Sequence, residues 1–167
     1  MKEYNVKDLV ITSLFIALVF VFTWLVKIQL PFAPNGGLIH LGNVPFFLAA
    51  IFLDKRIGMT AGALGMGIFD LTSGWAMWSP MTFISALIMG YILNKFNYKH
   101  LNLKNLLISF VLVAIVKVLV YYIGEIFILS SLVTPLASIP GNIIQIAVSS
   151  VIVLVVLKPM EKVFNNI

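Results

Sequence analysis

The chain has no cysteine, two histidines and six acidic residues among its 167. Without cysteine there is no disulfide and no thiolate metal site. The sequence contains no HExxH, GxSxG or Walker pattern, so the usual zinc-hydrolase, serine-hydrolase and nucleotide-hydrolysing chemistries lack their residues. Charged residues make up only 10%, too few to clothe a soluble domain in a polar shell. From these absences we expect no catalytic residues, no resident cofactor and no metal.

What is there is apolar and ordered by charge. Hydrophobic residues make up 61% and the mean hydropathy is +1.08. Of eleven Lys and Arg, nine fall in alternate gaps between apolar runs. Lys2 and Lys7 precede the first run, Lys55 and Arg56 follow the second, Lys95, Lys99 and Lys104 follow the fourth, and Lys158 and Lys162 follow the last. The other gaps carry no cation except Lys27 at an edge. Basic loops resist translocation, so the pattern predicts a polytopic membrane protein with both termini cytoplasmic. On that topology His40 and His100 lie on opposite sides of the membrane and cannot share a metal. The basic residues form no dense patch, which points to topology and anionic lipid rather than nucleic acid. The basic, then apolar N-terminus lacks a small-x-small cleavage site and reads as retained.

At ~20 residues per span, six spans use most of the chain. The predicted fold class is all-α, an integral membrane six-helix bundle in one domain, with spans at about 9–26, 44–53, 57–73, 80–93, 106–129 and 135–157. The loop 29–42 holds Pro31, Pro34, Asn35, Gly36 and Gly37 and cannot be regular helix. The second span is too short to cross a ~30 Å core alone, so it must be tilted, extended or shielded. Gly58 and Gly62 form a small-xxx-small face, best read as close helix packing. Ser13 and Ala17 form a second one, serving either packing within the bundle or docking of another membrane protein.

Charges inside a membrane are costly and call for an explanation. Asp70 lies about 20 Å up the third span and Lys117 about 18 Å up the fifth. They form a candidate ion pair, unless Asp70 faces outer water or caps the turn at Thr72-Ser73-Gly74. Glu125 lies about 30 Å along its helix and shares a stripe with Lys117, Tyr121 and Gly124. The last span carries Ser138, Asn142, Gln145 and Ser149 at spacings of 4, 3 and 4. Amides facing lipid are unfavourable, so this stripe should face inward. With His40, Asn43, Trp75 and Trp78 from outer loops, Tyr121, Glu125, Asn142 and Gln145 make a candidate substrate site. Aromatic plates with polar groups suit a small heteroaromatic ligand.

These features together resemble the substrate-binding S-components of energy-coupling factor (ECF) vitamin transporters, in the branch of riboflavin-like and related members. The resemblance rests on the six-span layout, the segment from Ser13 to Ala17, and Gly36-Gly37-Leu38-Ile39-His40-Leu41-Gly42-Asn43 entering the second span. It rests also on the glycine-rich third span ending in Asp70, the Pro80-Met81-Thr82-Phe83 start of the fourth, and Pro140-Gly141-Asn142-Ile143-Ile144-Gln145. Ser13 stands where alanine is commoner in the family, and remains small. The resemblance implies capture of a vitamin from outside and delivery inward with a transmembrane T-component and two cytoplasmic ATPases. It also implies T-component docking on Ser13 and Ala17 and residence in the bacterial cytoplasmic membrane. The cargo expected from the residues is hydroxymethylpyrimidine or a pyridoxine-like ring, with riboflavin, thiamine or pantothenate as alternatives. A rival of another class is a self-sufficient ion-coupled carrier with Asp70, Lys117 and Glu125 as proton relay.

Overall fold

The computed structural model describes residues 5–29 and 38–164. Six α-helices run in chain order: α1 Val6–Leu25, α2 Asn43–Phe52, α3 Lys55–Thr72, α4 Ser79–Asn97, α5 Leu103–Leu129 and α6 Ile139–Phe164. Short 3-10 turns, Ala76–Trp78 and Thr134–Ser138, lead into α4 and α6. Four helical stretches, Val6–Leu25, Ala76–Asn97, Leu103–Leu129 and Thr134–Phe164, are long and apolar enough to cross a membrane. Their outer surfaces expose Leu14, Ile84, Val111, Ile123 and Val155, the pattern of a bundle solvated by lipid.

The fold is all-helical as expected, with one short hairpin in a loop. β1 (Lys27–Gln29) and β2 (Leu38–His40) pair antiparallel, with Lys27 opposite His40 and Gln29 opposite Leu38. The pairing gives the loop backbone partners that it cannot find as helix. The prolines and glycines expected to break this loop, Pro31, Pro34, Asn35, Gly36 and Gly37, lie outside the described residues. Five helices outrun the expected spans at their basic ends: α1 starts at Val6, α3 at Lys55 and α5 at Leu103, while α4 reaches Asn97 and α6 continues to Phe164. Hydropathy marks where lipid ends, whereas helix ends are set by caps. Asn102, for example, accepts from Asn105 N at 2.9 Å and starts α5.

The short α2 is solved by shielding. Every residue from Asn43 to Ile51 is buried, enclosed by α1, α3, α4 and α6. Its last carbonyls, unpaired within the helix, receive Asn94 Nδ2 of α4 at Ala50 O (3.0 Å) and Leu53 O (2.8 Å). Glycines of α3 make the enclosure possible. A Cβ on Gly58 would meet Ala50 Cα at 2.5 Å, and one on Gly62 would meet the Phe46 ring at 2.4 Å. Gly58 and Gly62 are therefore a packing face toward α2. Phe46, Phe47, Phe69, Met89 and Leu106 fill the interior.

Ser13 and Ala17 are different: both are exposed on α1. The face that α1 turns to the bundle is Thr12, Phe15, Val19 and Thr23, so the Ser13–Ala17 face takes no part in packing the bundle.

Candidate functional site

The two polar stripes read from spacing turn inward. Lys117 and Glu125 of α5 are buried, and so are Ser138, Asn142, Gln145 and Ser149. They converge where the hairpin, the turn before α4, the C-terminal parts of α3 and α5 and the N-terminal part of α6 meet. There a cavity is lined by Leu38 and His40 of β2, Asp70 of α3, Trp75 and Trp78. Lys117 and Tyr121 of α5 and Asn142 and Gln145 of α6 complete it. Thus six of the eight residues expected to bind substrate line one cavity.

The other two do not line it. Asn43 is the first residue of α2, wholly buried, with neither amide atom hydrogen-bonded. Glu125 is wholly buried behind the wall and accepts from Trp78 Nε1 at 3.0 Å. Trp75 and Trp78 meet edge to face at 5.5 Å, each half-buried.

Asp70 and Lys117 share the cavity wall. Asp70 Oδ2 accepts from the Thr82 hydroxyl, and Thr82 Oγ1 lies 2.7 Å from Tyr121 Oη. Lys117 Nζ stands over the Tyr121 ring, 4.7 Å from its centroid, a cation–π geometry. Asp70 also accepts, through its backbone oxygen, from Trp75 N at 3.1 Å. It therefore both fixes the turn that carries the tryptophans and anchors the polar chain to α5. Thr82 is the residue that sequence reasoning missed. The signal was present: Ser79, Thr82 and Ser85 stand three apart on α4 and are all buried, an inward polar stripe like that of α6.

His40 closes the hairpin side. Its Nδ1 accepts from Gly42 N at 3.3 Å, and its carbonyl accepts from Gln145 Nε2 at 3.4 Å. Burial first, and then the Lys117 charge, hold the imidazole well below its ordinary value of 6.5, so it is neutral and Nδ1 is free to accept. The space in the cavity open to a water centre is about 20 Å³, room for about one water. The site is therefore narrow. Among the described residues no group of three His, Cys, Asp or Glu is placed to hold a metal.

Fold and site define a membrane-embedded helical bundle with a polar, aromatic-walled cavity beside its hairpin, the class of a small-molecule binding or transport subunit. The family model of the ECF-type riboflavin transporter S component matches residues 3–162, and the chain belongs to that family. The family is a transporter component and not an enzyme family. A solved S component of a bacterial ECF transporter shares the fold, with a TM-score of 0.73 at 21% identity over 93% of this chain and 96% of that one. No curated protein matches the sequence.

Proposed function

We propose that this protein is the substrate-binding subunit of an ECF-type importer and that its cargo is riboflavin or a closely related flavin. The observation that carries the reading is the family match across residues 3–162, combined with a cavity whose walls offer what a flavin needs. Asn142 and Gln145 each offer a donor and an acceptor to an imide edge, and Trp75 and Trp78 offer ring faces for stacking. The family match favours a flavin over the hydroxymethylpyrimidine or pyridoxine-like ring suggested by the residues alone. The chain then acts as one six-span domain of the bacterial cytoplasmic membrane, termini inside, the cavity open to the outside. A T-component and two cytoplasmic ATPases supply the energy that this chain has no Walker motif to harvest. Ser13 and Ala17, small and exposed on α1, suit close approach by the T-component's helices.

Two experiments test this. Mass spectrometry of the small molecule that co-purifies with the chain identifies the cargo; a pyrimidine or pyridoxine in place of a flavin would overturn the flavin assignment. Uptake into vesicles with and without T-component and ATPases tests the partnership. Proton-driven uptake by the chain alone would establish the ion-coupled carrier instead.

A further inference from the structure

We propose that Glu125 is a positioning residue rather than a ligand contact: it latches Trp78 shut across the cavity. The cavity as it stands holds about one water, whereas sites for vitamin-sized ligands span ~300–1,000 Å³. Part of the wall therefore moves to admit a ligand. Trp78 is the wall residue built to move. It stands on the three-residue Ala76–Trp78 turn and is half-buried. The turn follows Gly74, whose φ of +86° suits glycine and beside which a Cβ would meet nothing within 4 Å. Trp75 and Trp78 pack edge to face at 5.5 Å, so the two rings form one unit.

Among the described residues a single side-chain bond ties this unit to the bundle, from Trp78 Nε1 to Glu125 Oε1 at 3.0 Å, across 47 residues of sequence. Glu125 is wholly buried, so bulk water does not readily take the place of Trp78 on its carboxylate, and the bond holds the ring against the bundle. The ligand rests on the flavin reading, and the latch itself does not.

The test has two arms. With tryptophan labelled by 15N, the Trp78 indole resonance is assigned through Trp78→Phe, without any ligand present. A hydrogen-bonded, exchange-protected indole is expected in the wild type and in Glu125→Gln, which keeps an acceptor, and its loss in Glu125→Ala. Riboflavin binding is then followed by stopped flow. Glu125→Ala should raise association and dissociation rates together by about tenfold, the factor for losing one hydrogen bond, leaving Kd little changed. Trp78→Phe, which loses the donor, serves through the rates alone if Glu125→Ala does not fold: both should rise, and its Kd is not used because the ring also lines the cavity. A Glu125→Ala variant that weakens Kd through dissociation alone, with the indole signal unmoved, would make Glu125 a ligand contact and overturn the proposal. If riboflavin does not bind the wild type, the flavin reading fails, and the indole signal alone decides the latch: identical signals in all variants would refute it.

Discussion

Thr82→Val removes one hydroxyl and almost no volume, so its effect isolates the polar chain between α3, α4 and α5. In the native protein Thr82 Oγ1 donates to Asp70 and meets Tyr121 Oη at 2.7 Å. Thr82 is 4% exposed and Asp70 7% exposed, so water does not readily replace the lost partner. Each stranded buried group costs about 1–3 kcal/mol, giving about 2–6 kcal/mol for the pair. For a chain of this length each kcal/mol moves the midpoint by about 2–4 °C, so a fall in Tm on the order of 10 °C is expected. Thr82→Ser retains the hydroxyl and should recover most of the loss. The assay is thermal unfolding of the purified protein in detergent, paired with ligand titration, because Asp70 and Tyr121 both line the cavity. A Thr82→Val protein with wild-type Tm and wild-type affinity would show that the Asp70–Thr82–Tyr121 chain supports neither fold nor site.

Three further outcomes are expected. Asn142→Ala should weaken ligand binding about tenfold or more, the loss of one buried hydrogen bond. Ser149→Ala, deeper on the same stripe, should leave Kd unchanged; equal affinities in a titration of both would move the site elsewhere. Ser13→Trp or Ala17→Trp should abolish uptake by the reconstituted transporter while leaving ligand titrations unaltered, since a bulky ring holds a partner helix away; normal uptake by both would show that this face docks nothing. Stability should decline as pH falls below about 6.5, because the unfolded chain then binds a proton at His40 that the folded one refuses. That stability is fully present above 6.5, and unfolding curves of His40→Asn should lack its share of the slope.

The sequence determined the outline of this protein because a bilayer imposes blunt rules. Long apolar runs, alternating basic gaps and the inward-facing Ser138–Asn142–Gln145–Ser149 stripe follow from the high cost of exposing charge or amides to lipid. The helix bundle and the inward turn of both polar stripes were therefore legible residue by residue, and the family could be read from motif order. The glycines of α3 were legible as a packing face, although not that Ala50 and Phe46 were their partners.

Tertiary structure decided what spacing cannot express, namely which side chains satisfy one another across helices. Periodicity places Glu125 on the stripe with Tyr121, but only the fold brings Trp78, 47 residues away, onto its carboxylate and sets Glu125 behind the cavity wall. It likewise placed Thr82 between Asp70 and Tyr121, brought Asn94 to the end of the buried α2, and turned Ser13 and Ala17 outward. Burial against lipid is a property of one helix and is written along it. A hydrogen bond between helices depends on their relative rotation and depth, set jointly by every packed neighbour.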